Sequence, residues 1–225
     1  MSTSSKVWDT HSGETLHTLQ HQHIVRAIAF SPQPRPQILA TGGAEKKLRI
    51  FDLSQATNDA QQSAPAVDGV ASSGSSTAPS FEIGPGIHQG TIRSVIWTAD
   101  SNVLVTASED KTLRWWDLRA RAPVAEYALE GTVGSCEIDS IPLGSSTSGS
   151  GTLSVAAGKS VYFFDADRPA SLIKQVKTPY EIASVALNGA QKKFVTGGAA
   201  DTWVRVWDFD EERELGKCGY MSLNL

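Results

Sequence analysis

The feature that most constrains this chain is a recurring mark of three residues: an apolar residue, an aromatic and an aspartate. It reads Val7-Trp8-Asp9, Ile50-Phe51-Asp52, Trp115-Trp116-Asp117, Phe163-Phe164-Asp165 and Val206-Trp207-Asp208. The aspartates stand 43, 65, 48 and 43 residues apart. A period of about 40–45 residues holds one small sheet per unit, and such units bury their apolar faces only by stacking on one another. The long step contains residues 54–80 (SQATNDAQQSAPAVDGVASSGSSTAPS), which have almost no large apolar side chain. Burial there cannot offset the entropy of ordering, so the segment is read as a disordered insertion. The stretch GSSTSGSG at 144–151 is a smaller loop of the same kind, and 216–225 is read as a non-repeat tail.

Short strand patterns fill the intervals. Val25, Ile28 and Phe30 precede a proline-rich turn, and Ile38-Leu39-Ala40 and Leu48-Arg49-Ile50-Phe51 follow it. The next unit repeats the order with Ile92, Val95 and Trp97, a turn at Asp100-Ser101-Asn102, then Val103-Leu104-Val105 and Leu113-Arg114-Trp115-Trp116. Turn signals every 8–12 residues between such runs indicate strands. No helix-length stretch shows a 3.6-residue apolar period. The fold class is all-β.

These residues resemble the WD40 family of β-propellers. In that family a histidine before a blade's first strand, a Ser or Thr, a turn Asp and a Trp form a buried polar tetrad. One unit carries the whole pattern in His88, Thr106, Asp110 and Trp116. The unit before it has His21 and Thr41, with Glu45 in place of Asp and Phe51 in place of Trp. The last unit has Thr196, Asp201 and Trp207 without a matching histidine. The unit ending at Phe164-Asp165 shows none of the four. Within the family, KVWDTHSGETLHTLQHQHIVRAIAF (6–30), LATGGAEKKLRIFDL (39–53) and TASEDKTLRWWDL (106–118) are similar to the serine-threonine kinase receptor-associated (unr-interacting) subfamily. The Ser-rich insertions depart from its animal form and suit a fungal relative.

Seven blades of about 43 residues require about 300 residues, and this chain has 225. The first mark, at Val7-Trp8-Asp9, falls where a blade's third strand is expected. The expectation is a partial or open ring of about four to five blades, from a truncated product or an incorrect gene model. Completion of the ring by a second copy or a partner is the alternative.

Chemical motifs do not assemble. Gly158-Lys159-Ser160 resembles the end of a phosphate-binding loop, but Leu153 stands where that loop needs glycine. His17, His21 and His23 cluster without a carboxylate or cysteine at ligand spacing. Asp110 and Glu109 near His88 could mimic an acid–base pair, and the tetrad accounts for His88 and Asp110 without it. No catalytic, cofactor or metal site is expected. Net charge is −4, which argues against DNA binding. No run of apolar residues is long enough for a membrane helix, and Cys136 and Cys218 match no ligand spacing, which suits the cytosol or nucleus.

Arginines recur at matching places. Arg49, Arg114 and Arg205 precede the aromatic marks, and Arg26 and Arg93 lie in first strands. With Arg119 and Arg121 they could form a basic ring on one face that binds a partner. The alternative is that they pair with local acids such as Asp52 and Asp117. The family resemblance implies a non-enzymatic adaptor without cofactor. Its partners would be survival-of-motor-neurons and snRNP assembly factors, RNA-binding proteins, or TGF-β receptor signalling components, with direct RNA contact left open. A subunit of translation initiation factor three is the neighbouring alternative.

Overall fold

The computed structural model describes residues 3–32, 37–54, 78–139 and 151–219. Five antiparallel sheets follow one another along the chain. Sheet I pairs β1 (Thr3–Trp8) with β2 (Thr15–His21). Sheet II runs β3 (Val25–Phe30), β4 (Ile38–Gly43), β5 (Leu48–Asp52) and β6 (Ser80–Ile83). Sheet III runs β7 (Ile92–Trp97), β8 (Val103–Ser108), β9 (Thr112–Asp117) and β10 (Ala122–Ala128). Sheet IV runs β11 (Val133–Asp139), β12 (Thr152–Ala157), β13 (Ser160–Asp165) and β14 (Leu172–Lys177). Sheet V runs β15 (Ile182–Asn188), β16 (Lys193–Gly198), β17 (Trp203–Asp208) and β18 (Glu214–Gly219). A single 3-10 turn at Gly189–Gln191 is the one helical element among the described residues. This is the all-β array of propeller blades expected from the repeat, with an open ring.

Each sheet is a simple meander, so each strand pairs with its sequence neighbours. The first strands β3, β7, β11 and β15 contact one another in succession, which puts them on the inner side. Four apolar clusters fill the gaps between successive sheets. Leu19 meets Leu39, Phe51, Leu53 and Ala78 between sheets I and II. Ile50, Ile83, Ile92, Leu104 and Trp116 join II to III, and Trp115, Val155, Tyr162 and Phe164 join III to IV. Phe163, Val185, Phe194 and Trp207 join IV to V. The core is therefore a series of interfaces rather than one centre, as expected for stacked repeats.

The five sequence marks have one structural meaning. Each ends the third strand of a blade, β5, β9, β13 and β17, or its counterpart β1 in sheet I. Each aspartate then accepts a hydrogen bond from the backbone N–H two residues on: His11, Ser54, Arg119, Asp167 and Asp210, at 2.7–3.0 Å. These are Asx turns, which a short carboxylate forms and a longer side chain does not. The aromatic before the aspartate fills the interblade core in sheets II to V, where Phe51, Trp116, Phe164 and Trp207 are all buried.

Two boundary expectations are corrected. Residues 216–219 belong to β18 and pair with β17, so they are not a non-repeat tail. The insertion read at 54–80 ends earlier than its composition suggested. Ala78 is 2% exposed within the cluster of Leu19 and Phe51, and Ser80 opens β6. One buried methyl and the ladder to β5 draw this polar end into the sheet. The rest of that insertion (55–77) and most of the 144–151 loop lie outside the described residues.

Candidate functional site

In sheets II, III and V the polar residues picked out by the repeat converge at one end of the sheet, beside the turn joining the second and third strands. In sheet III, Trp116 Nε1 donates to Thr106 Oγ1 at 2.8 Å. Thr106 Oγ1 lies 2.7 Å from His88 Nε2, and His88 Nδ1 lies 3.0 Å from Asp110 Oδ2. Along these three contacts the polarity runs indole to hydroxyl, hydroxyl to Nε2 and Nδ1–H to carboxylate, and Arg114 Nη1 also stands 2.5 Å from Nδ1 and donates to Asp110 Oδ2 at 3.1 Å. His88 is 3% exposed, and Thr106 and Trp116 are wholly buried. Asp110 also accepts from Gln89 N, Thr112 N and Thr112 Oγ1.

The electrostatics follow. Burial lowers the His88 pKa, against the pull of Asp110, so the ring is held neutral. Burial would raise the Asp110 carboxyl, but hydrogen bonds from Thr112, Gln89 and His88 outweigh it and hold it far below the usual range. Both His88 nitrogens and the Asp110 carboxylate are thus committed inside the fold, and Glu109 pairs with Arg93 at 2.7 Å. The arrangement is a lock on blade geometry rather than an acid–base pair facing a substrate.

Register shows how the other blades treat the same positions. Thr41, Thr106, Val155 and Thr196 are equivalent, each paired across the ladder with Arg49, Arg114, Tyr162 and Arg205 in turn. In sheet V, Trp207 Nε1 donates to Thr196 Oγ1 at 3.0 Å, and the Tyr180 hydroxyl meets the same atom at 2.8 Å. Tyr180 therefore takes the place of the histidine that the sequence lacked. In sheet IV the position is apolar: Val155 and Phe164 replace Thr and Trp. Phe164 packs against Tyr127, Trp115 and Tyr162 at 4.9–6.3 Å. The Tyr162 hydroxyl accepts from Glu130 N at 3.1 Å.

The arginines before the aromatic marks pair with the turn acids, not with Asp52 or Asp117. Arg49 meets Glu45 at 2.6 Å, Arg114 meets Asp110 at 3.1 Å and Arg205 meets Asp201 at 2.7 Å. An arginine four residues after the turn acid comes back beside it as the hairpin closes. The expected basic ring is also corrected. Arg26 and Arg93 stand near the turn-acid end of their sheets, whereas Arg119 and Arg121 follow Asp117 at the other end of β9. A six-residue strand separates those ends by about 20 Å. Arg119 pairs with Asp117 at 3.3 Å, and Arg121 lies over the Phe81 ring at 4.6 Å.

The inner strands share a further device. In each of sheets II to V the ladder between first and second strands slips at the second residue. Those residues are Arg26, Arg93, Gly134 and Ala183, all exposed. A bulge re-aims the extra residue out of the ladder, so the fold presents one outward position per blade on the same rim. Arg93, Gly134 and Ala183, with Thr132 and Glu181, line an open cleft of about 300 Å³. Arg26 lies with Ile24 and Ile28 along a wider groove of about 550 Å³. No sequence signal marks a bulge, so this rim was legible only as two arginines at matching places.

The remaining motifs resolve simply. Gly158-Lys159 is the turn between β12 and β13, and Ser160 opens β13. His17 and His21 are buried, and His23 is exposed. Among the described residues no three His, Cys, Asp or Glu side chains are placed to hold a metal ion. Burial pushes the Cys136 thiol up to about 12, and Cys218 is exposed on β18.

The WD domain, G-beta repeat family model matches residues 13–52 and 86–117, the segments that run up to the ends of β5 and β9. Over 94% of its length the chain is 30% identical to the serine-threonine kinase receptor-associated proteins of Mus musculus and Homo sapiens. It is 29% identical over 93% of its length to the Dictyostelium discoideum protein of the same name. The chain spans about half the length of the two mammalian relatives, 51%, and 60% of the Dictyostelium one. The chain carries WD40 repeats, folded as successive propeller blades, and resembles the serine-threonine kinase receptor-associated proteins over 94% of its length.

Proposed function

We propose that this chain is a non-enzymatic WD-repeat scaffold that serves the survival-of-motor-neurons complex in spliceosomal snRNP assembly and mRNA metabolism, in cytoplasm and nucleus. The observation that carries the reading is the 30% identity over 94% of the chain, a span far longer than one motif. The four-fold bulged rim supports it, since rigid strands hold exposed side chains at fixed spacing. Arg26 and Arg93 are its contact residues for protein partners, including RNA-binding proteins. Arg119 and Arg121 form a second contact at the opposite end of sheet III.

The test is recovery of the endogenous protein with an antibody to residues 88–117, read by mass spectrometry. Co-recovery of Sm proteins or survival-of-motor-neurons components supports the assignment. Initiation factor subunits in their place would overturn it. A second reading, a scaffold at a kinase receptor, is favoured by the name its relatives carry, and receptor peptides in the same experiment would select it.

A further inference from the structure

Sheet II carries the incomplete version of the tetrad, and its polar groups can be accounted for one by one. Glu45 Oε1 accepts from Gln22 N at 2.6 Å and His23 N at 3.2 Å. Glu45 Oε2 faces Arg49 Nη2 at 2.6 Å. The Arg49 guanidinium also meets Gln20 O through Nη1 at 3.3 Å and Glu82 through Nη2 at 3.2 Å. Three buried atoms here lack a hydrogen-bond partner among the described residues: Glu45 Oε2, which the Arg49 ion pair covers, and His21 Nε2 and Arg49 Nε, which nothing covers. His21 is 7% exposed.

The reason lies in three differences from sheet III. There, Arg114 Nε donates to Glu126 at 3.1 Å. In sheet II the corresponding acid, Glu82, is shared with Lys47 at 3.1 Å, and its contact to Arg49 is through Nη2. Phe51, in place of Trp116, has no indole N–H to fix the threonine hydroxyl. Glu45, one methylene longer than Asp110, stands 3.9 Å from His21 Nδ1 rather than 3.0 Å.

His21, Thr41, Gly42, Gly43, Glu45 and Arg49 line a small cavity of about 10 Å³. That is about the space one water requires, and a buried water needs two to four polar partners. The chemistry selects the occupant. Burial lowers the His21 pKa, so the ring is neutral; the Glu45 carboxylate, 3.9 Å from Nδ1, favours the proton on that nitrogen and leaves Nε2 the acceptor. Arg49 Nε is a donor. The occupant must donate to one and accept from the other. A metal cation is disfavoured by the guanidinium and an anion by the Glu45 carboxylate.

We propose that this cavity is a structural water site, in which one long-lived water bridges His21 Nε2 and Arg49 Nε and stands in for the missing part of the tetrad. The test is water-selective NMR on the folded chain, reading dipolar transfer from water to the amides of Gly42 and Gly43. Ala107 and Ser108, their equivalents in sheet III, are the internal control. Transfer with the sign of a long-lived water at Gly42 and Gly43, and none at the control amides, is expected. Absence of transfer at both pairs would overturn the site, as would equal transfer at both. A second variant keeps the result specific: Glu45→Asp with Phe51→Trp rebuilds the direct network, and loss of the water signal is expected. Persistence of the signal in that variant contradicts the bridging role.

Discussion

A threonine hydroxyl deep between two sheets is costly unless both its donor and its acceptor capacity are used. Thr106 achieves this with His88 and Trp116, and Thr196 with Tyr180 and Trp207. Val155 avoids the cost by having no hydroxyl. Removing one member of the full network leaves its partner unpaired, so His88→Ala and Asp110→Ala should each lower stability by about 1–3 kcal/mol in urea denaturation. Unchanged midpoints in both variants would remove the locking role. Tyr180→Phe should cost less, because it removes one hydroxyl from a partly buried contact and keeps the ring that packs there. Thiol chemistry separates at the same scale. Alkylation of the native chain near pH 8 should label exposed Cys218 and spare Cys136, whose burial disfavours the thiolate, as read by peptide mass spectrometry.

At the scale of the blade, legibility depended on whether one residue type does one job. The five aspartates were readable because each closes an Asx turn that a short carboxylate forms. The tetrad of sheet III was readable because all four residue types were present. Tyr180 was missed because a phenol replaces an imidazole and stands 16 residues before its threonine, against 18 for His88. The apolar solution of sheet IV was invisible, since Val155 and Phe164 look like any strand residues. That the arginines pair with local acids was legible, and Arg119 does meet Asp117, but the partner of Arg49, Arg114 and Arg205 is set by hairpin closure, which brings back the acid four residues before. Blades also differ in how their strands are held. Sheet I has two strands among the described residues, with Trp8 and Leu16 half exposed, whereas β8, β9, β12 and β13 are buried almost throughout. A two-stranded sheet is marginal alone. Hydrogen exchange should therefore be fastest in β1 and β2 and slowest in β8, β9, β12 and β13. Uniform protection across all five sheets would contradict this order.

At the scale of the whole molecule, stacked repeats distribute stability over interfaces, so titration of a few locks is felt by the array. Burial lowers the pKa of both His21 and His88. The unfolded chain takes up protons on those rings below about 6.5 while the folded chain does not. Stability should therefore fall as pH drops from about 7 through the unfolded value, and level off below the folded values. Asp110 acts the same way lower down: its contribution is present above about 3.9 and is lost as pH falls through its depressed folded value. Tryptophan fluorescence during urea titrations at several pH values reads both windows, and His88→Ala should flatten the upper one.

The same array presents Arg26 and Arg93 on bulges of adjacent inner strands, and under the proposed function this rim is where the scaffold meets its partners. The most direct measurement is affinity recovery from cells of the tagged wild-type chain beside Arg26→Glu with Arg93→Glu, both shown to melt alike. Wild type is expected to recover snRNP assembly proteins, and the charge-reversed variant to recover at least tenfold less. Equal recovery by the two, or none by wild type, would rule out this rim as the partner surface.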